Sequence, residues 1–407
     1  MRLRKRALGL AAGAAVLFLI GTNVQAGWLY VLSAILLGTA VAGAWLPRRM
    51  LRGIEVERRA PEEVVQGADV VVELIVTNRA RGLRLGLVID DPHVAPTSVF
   101  VAAIRPGERI ELSTGRIAAR RGIHEDLPVV VRSAAPFGVA ERRRRVPVAG
   151  RTTVIPAIVP LVALPFAAAA SDPDHAARSV PRRGGGPEYL GVREYRPGDS
   201  PRHVHWPSTA RAGTIMVREL EEERSRRVAF LVDSLTDVGD AGTPLDACCT
   251  AAASLAWAAA DRGSSVRLLI TGPRGEVTSS GDLDDGTLRR GLAAIEPTGI
   301  AFAAAVRGTP EALVGVDELV LLFPTWRSNG DPPLVRAIED VADGRTRVVA
   351  IPVEVGPEDA RRVAALRAEE TDALIEALAV SGARVVPWRH GTALADAMAP
   401  GDVGAVT

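Results

Sequence analysis

Two residue types are nearly missing from this chain. Lys5 is the only lysine in 407 residues, so arginine carries almost all the positive charge. With heavy Ala and Gly use, this fits coding bias in a GC-rich bacterial genome, and arginine abundance alone marks no site. Cysteine is limited to Cys248 and Cys249. Neighbours on a helix point about 100° apart, and a bridge between adjacent residues is strained, so a disulfide framework is excluded. An excess of one charge is also missing: 49 basic residues face 48 acidic ones, a net charge of +1. That balance excludes the basic surplus of a dedicated nucleic-acid binder. Hydrophobic residues at 47% and charged ones at 24% describe ordinary globular material, and the length allows two or three domains.

What is present begins with two apolar runs, residues 7–20 and 28–46, neither holding a charge. The second approaches the ~20 residues needed to cross a bilayer, and the first reaches it if Gly21–Val24 is included. Trp28, Tyr30 and Trp45 stand near the ends of the second run, where amphipathic aromatics favour the membrane interface. Arg2, Arg4, Lys5 and Arg6 precede the pair; Arg48, Arg49 and Arg52 follow it; the intervening GTNVQAG is uncharged. The positive-inside rule then puts both ends in the cytoplasm, joined by a tight external turn. Residues 1–52 are therefore expected as a two-helix anchor in the plasma (inner) membrane, in contact with the lipid bilayer, with the bulk of the chain cytoplasmic. A cleaved signal peptide ending at VQA is the rival; it leaves the second run as a span with the same side inside.

Residues 53–165 alternate apolar and polar positions between Gly and Pro punctuation, the pattern of about seven short strands in an immunoglobulin-like β-sandwich. Within it, PFG at 136–138 fits a turn. Arg142–Arg145 reads as a solvated edge strand protected by charge, with anionic lipid contact as the alternative. Residues 166–190, rich in Gly, Pro and charge, are expected as a flexible linker. Residues 191–226 form a distinctive motif segment.

From Arg227 to the end the texture alternates β and α. RVAFLVD (227–233), SVRLLIT (265–271), ELVLLF (318–323), RVVAIPV (347–353) and ARVVPW (383–388) are strand-like. Helices are expected from Thr243-Pro244 to about Asp261, with Thr243 as N-cap, and over 286–295, 332–342, 357–380 and 392–398. This alternation predicts a doubly wound, mostly parallel sheet.

The stretch Arg193–Glu223, which opens REYRPGDSPRHVHWPSTARAGTIMVRELE, resembles the bacterial family called domain of unknown function 58. RRGIHEDLPVVVRSAAPFGVAERRRR resembles that family's RGxY…PFG region, and the paired spans fit it too. The resemblance implies a von Willebrand factor A-like domain over 227–407, a MoxR-type AAA+ ATPase as partner, and no established catalytic activity. The motif residues it singles out are Arg193, Glu194, Tyr195, Gly198, Asp199, Arg202, His205, Trp206 and Arg211. Pro207 departs from the family's pattern, and a kink or break is expected there, with Ser208 or Thr209 capping a second turn.

A chemical role for the motif has little sequence support. His203 and His205 point to different helix faces, and no Cys or carboxylate cluster completes a metal site. Asp199 with His205 lacks a nucleophile positioned in sequence. The better motivated reading has Trp206 burying its ring as an anchor. Arg193, Arg202, Arg211 and Arg218 then pair with Glu194, Asp199 and Glu219 to clamp the segment to the α/β domain. A partner-binding surface would build on that clamp. Ligand-binding A domains hold Mg²⁺ through Asp-x-Ser-x-Ser and a distant Asp. Here the loop reads Asp233-Ser234-Leu235-Thr236-Asp237, and Pro324-Thr325 stands where the Asp is expected. Leu235 cannot ligate, so Asp233 marks a degenerate site, although Thr236, Asp237 or Asp240 remain as substitutes. No catalytic or cofactor-binding residue is assigned. The expectation is a non-enzymatic membrane adaptor for complex or envelope assembly. A hydrolase using the 193–219 motif, a divalent-metal-dependent ligand-binding A domain and an outward-facing adhesion protein are the alternatives.

Overall fold

A computed structural model of the chain describes residues 2–166, 189–196, 204–220, 226–235, 243–325, 332–342, 346–354 and 368–399. The expected linker at 166–190 lies almost wholly outside the described residues. Helices α1 (Arg2–Val24) and α2 (Gly27–Met50) form an antiparallel pair. Both are long and apolar enough to cross a membrane, with mean hydropathy 1.9 over Arg6–Val24 and Gly27–Met50. The turn between them is tight, as expected. Gly21–Val24 continues α1, and only Gln25, at φ 52°, and Ala26 break the helix. Between the helices Ser33 Oγ donates to Ala14 O at 2.7 Å, the kind of polar bond that holds helices together where no water competes.

The end of α2 is built into the next domain. Leu51 is buried in the same core as Ile54, Leu74, Leu87 and Val131, and Arg84 Nε donates to Arg52 O at 3.0 Å. That core lies between an antiparallel sheet of β1 (Ile54–Arg59), β3 (Asp69–Asn78) and β6 (Arg109–Ile117) and a second of β5 (Thr97–Ile104), β4 (Arg84–Asp91), β8 (Val129–Ser133) and β9 (Arg142–Val146). A third small sheet joins β2 (Glu63–Val65), β10 (Arg151–Ile155) and β7 (Gly122–Glu125). Ten strands thus replace the seven expected. The extra ones are short, such as the three-residue β2, and too brief for an alternation to register.

The carboxyl-terminal part is a six-stranded sheet flanked by helices. Its strands are β13 (Arg227–Val232), β14 (Ser265–Thr271), β15 (Val277–Ser279), β16 (Glu318–Pro324), β17 (Arg347–Val353) and β18 (Arg384–Val385), in the order β15-β14-β13-β16-β17-β18. All pairings are parallel except β14 with β15. Counted within the sheet this is order 3-2-1-4-5-6, a doubly wound arrangement. Along β13, Val228, Phe230 and Val232 enter one core while Ala229 and Leu231 enter the other. Burial on both faces explains why the strand reads as an unbroken apolar run. Helix α4 (Pro244–Asp261) begins as expected, with Thr243 Oγ1 accepting from Asp246 N at 3.1 Å. The antiparallel β15 and the six-residue helix Phe302–Arg307 escape sequence reading because neither carries a full period. Among the described residues the helix expected over 357–380 covers Ala368–Val380, and 355–367 lie outside them.

Two links join the sandwich to this sheet. Residues 156–166 lie along α4, where Leu161, Leu164 and Phe166 share its core and Val159 N donates to Ser254 Oγ at 2.9 Å. The second link is Arg121, at the corner between β6 and β7. Its Nη1 donates to Leu292 O at 2.8 Å and Ile295 O at 2.9 Å, capping the helix α5 (Asp285–Ala293). Its Nε lies 3.2 Å from Asp246 Oδ1, with the two side chains only 4% and 3% exposed. Truncation removes the buried cation facing Asp246 and the donor to three carbonyls. Arg121→Ala is therefore expected to cost about 3–5 kcal/mol, measured by urea unfolding of the detergent-solubilised chain. The apolar pair Arg121→Met/Asp246→Leu is expected to recover part of that loss.

Candidate functional site

The motif segment folds on itself. Strands β11 (Tyr189–Glu194) and β12 (Met216–Leu220) pair antiparallel, with Arg193 opposite Val217 and Glu194 opposite Met216. Between them the chain forms the helix α3 (Trp206–Ala212). Thr209 ties that helix to the strand: its Oγ1 donates to His205 O at 3.1 Å and accepts from Met216 N at 3.0 Å. His205 N donates to Met216 O at 2.8 Å, and Gly213, at φ 71°, closes the helix by donating to Thr209 O at 3.0 Å. Only glycine adopts that left-handed closing position without strain. Val217 is buried beneath.

Three expectations are corrected here. Pro207 does not break a helix but starts one, since it occupies the first turn, where no intrahelical N–H is needed. Trp206 buries no ring: it is 71% exposed, because the helix presents no buried residue to the hairpin. His205 caps the helix rather than lying within it, with Nδ1 2.7 Å from Ser208 Oγ. Arg193 is half-buried and its Nη1 donates to Glu194 O at 3.1 Å, while Arg211 is exposed in the last turn of α3. Gly198, Asp199 and Arg202 lie outside the described residues, as do the side chains of Arg218 and Glu219, so most of the expected ion-pair clamp falls there too. Tyr195, 41% exposed, and Ile215, 51% exposed, join Trp206 as large apolar side chains in solvent on this small unit.

At the carboxyl end of β13, Asp233 is buried and its Oδ1 accepts from Leu235 N at 2.9 Å. Ser234 Oγ lies 3.2 Å from Thr298 Oγ1, and Thr325 is buried at the end of β16. Thr236, Asp237 and Asp240 lie outside the described residues. Among the described residues no group of three His, Cys, Asp or Glu is placed to hold a metal ion.

A second polar cluster was not anticipated from sequence, because its members lie on four separate segments. Inside the sandwich, Asp91 accepts from Arg58 Nη2 at 2.5 Å and from Arg116 Nη2 at 2.9 Å, with all three side chains sealed from solvent. His93 lies beside them. Thr152 Oγ1 spends its proton on Pro61 O at 2.8 Å, so His93 Nε2, 2.9 Å away, is the donor to that hydroxyl. His93 Nδ1 is left as a buried acceptor with no partner. Protonating it would add an unpaired N–H. Burial first, and the Arg58 charge second, push its pKa down to about 4. The Arg58–Asp91–Arg116 hub is sealed from solvent and holds β1, β4 and β6 together.

Residues 191–353 match the family model described as "Protein of unknown function DUF58". The DUF58 match begins in β11 and ends with β17, so it joins the motif hairpin to five of the six strands. No curated protein matches the chain. Among solved structures the chain is similar to the CARDB domain of a Pyrococcus furiosus protein in complex with di-metal ions, at 13% identity and TM-score 0.17, over 24% of this chain and 87% of that one. It is similar to a β-glucosidase from Listeria innocua at 17% identity and TM-score 0.13, over 24% of this chain and 16% of that one. Both likenesses are too slight to bear on function.

The His93 geometry makes a prediction about pH. Its folded pKa of about 4 lies below the ordinary 6.5, so between those values the unfolded chain binds more protons and stability falls as pH falls. Melting of the solubilised chain is expected to drop across this window, and more shallowly in His93→Asn.

Proposed function

We propose that the chain is a membrane-anchored, non-enzymatic docking protein that offers the β11–α3–β12 unit to another protein. The observation that carries this reading is the exposure of Trp206, with Ile215 and Tyr195, on an element whose own hydrogen bonds are internally satisfied. Aromatic residues left in solvent on a rigid support are the usual anchors of protein interfaces. Helices α1 and α2 fix the chain in the membrane, with the sandwich and sheet on the cytoplasmic side, a reading supported by Arg48, Arg49 and Arg52 after the second span. The sandwich is an immunoglobulin-like spacer. The α/β part is a von Willebrand factor A-like domain, a reading supported by its 3-2-1-4-5-6 order, its antiparallel β15 and Asp233 at the end of its first strand. The partner we assign, on the motif's resemblance, is a MoxR-type AAA+ ATPase. Cross-linking the full chain in native membranes is expected to recover such an ATPase. Trp206→Ala/Ile215→Ala is expected to lose it while shifting stability by no more than about 0.5 kcal/mol. Recovery of no ATPase by the unaltered chain overturns the assignment.

The His205–Ser208 contact favours a second reading, a hydrolase in which the imidazole activates the hydroxyl. His205 holds the N-cap position and Ser208 lies one turn on, so helical geometry alone brings the two side chains together. A serine-reactive fluorophosphonate is expected to leave the chain unlabelled; labelling abolished by Ser208→Ala would establish the enzyme instead.

The cation pocket of the A-like domain is proposed to be inactive, since the Asp233 carboxylate is turned to Leu235 N. Mg²⁺ is expected to leave the melting temperature unchanged. A bound ion at a hundredfold excess over its Kd would add about 2.7 kcal/mol and raise the temperature visibly.

A further inference from the structure

The joint between α2 and the sandwich holds a cavity of about 540 Å³ lined by Arg48, Leu51, Arg52, Gly53 and Arg142–Arg144. Arg48 lies in the last turn of the apolar helix, Arg52 just past its end, and three come from the edge strand β9, so the fold gathers charges nearly a hundred residues apart. Arg144 is committed to structure, its Nη1 donating to Leu51 O at 3.0 Å. Arg143 meets Glu141 at 2.7 Å and also feels the charge of Asp90, which is itself paired with Arg132. Arg142 Nε is buried with no hydrogen-bond partner, and a buried donor left unmade is costly. Five guanidiniums line one opening that has no carboxylate among its described lining residues, and their mutual repulsion favours uptake of an anion.

Position identifies the source of that anion. The loop Ala134–Ala140 (AAPFGVA), just before these arginines, carries no charge. It rests against α2 so closely that a Cβ on Gly43 would lie 2.7 Å from Val139 Cβ. Gly43 precedes Arg48 by five residues, and at about 1.5 Å per residue this sets Val139 some 7–8 Å further along the apolar span than the arginines. Phe137 in that loop is half-exposed. An uncharged loop with an outward aromatic, set deeper along the span than a ring of arginines, matches the layering of acyl chain and phosphate in a lipid leaflet.

We propose that this joint binds the phosphate headgroup of an anionic phospholipid, with the Ala134–Ala140 loop laid into the interface beside it. The proposal rests on the membrane-anchor reading. The test is native mass spectrometry of the full chain extracted from phosphatidylcholine vesicles containing phosphatidylglycerol. The chain is expected to retain phosphatidylglycerol in preference to phosphatidylcholine. Arg48→Gln/Arg142→Gln/Arg143→Gln is expected to lower that retention roughly tenfold or more, whereas Arg79→Gln/Arg109→Gln/Arg151→Gln, three exposed arginines elsewhere on the sandwich, leaves it intact. Equal retention by both triple variants overturns the proposal. So does displacement of the lipid by inorganic phosphate, which would make the site one for a free anion. Because Cys248 and Cys249 are buried, Phe137→Cys supplies an accessible thiol. In vesicles it is expected to react with a polar maleimide far more slowly than Val162→Cys, at a fully solvated position; equal rates overturn the placement of the loop. Release of the chain from vesicles by alkaline carbonate would instead refute the anchor reading itself.

Discussion

A single guanidinium sealed between two domains sets the geometry of this molecule. Arg121 leaves the β6–β7 corner of the sandwich and meets the carboxylate of Asp246 and the terminal carbonyls of α5 together. Asp246 lies in the first turn of α4, where a negative charge complements the helix dipole, and the carbonyls are the negative end of α5. One positive charge thus answers two helix ends. Lysine could not replace it, because a point charge with three donors cannot span a carboxylate and a ring of carbonyls in one plane. The residues 156–166 packed on α4 and the bond between Arg290 and Glu63 at 2.7 Å then follow from an orientation already set.

Much of this was legible in the residues, and the rest failed for stateable reasons. The runs 265–271 and 347–353 coincide with β14 and β17, and Thr243-Pro244 opens α4 with the expected cap. Buried parallel strands and capped helices announce themselves locally, through continuous apolar runs and side-chain oxygens at fixed offsets. What could not be read is pairing across distance. Asp91 becomes a buried hub only because β1, β4 and β6 bring Arg58 and Arg116 to it. The motif failed differently. Trp206 reads as an inside residue because aromatic rings usually serve as anchors, yet Pro207 in the first turn and the bond from Met216 N of β12 to Thr209 close the unit without it.

The two family-like signatures upstream of the matched range acquire physical meaning as joints. The arginine of the RG pair, Arg121, locks the sandwich to the α/β sheet, and the PFG loop sets Val139 against Gly43 of α2. Both demand particular side chains because both are close contacts between elements that do not adjoin in sequence. A Cβ at Gly43 would overlap Val139, and a shorter residue at 121 would leave three carbonyls unanswered.

The same geometry bears on how the exposed motif is used. Helix α4 follows β13, so its first turn and the loop after β13 share the carboxyl edge of the sheet, the edge where doubly wound folds hold ligands. Here that edge carries Arg121 against Asp246, and the backbone N–H of Leu235 against Asp233. The hairpin carrying Trp206 and Ile215 joins the same chain just before β13 and presents apolar surface whose exposure nothing in its internal bonding requires. In water such surface is a standing cost, one that the proposed protein partner would remove.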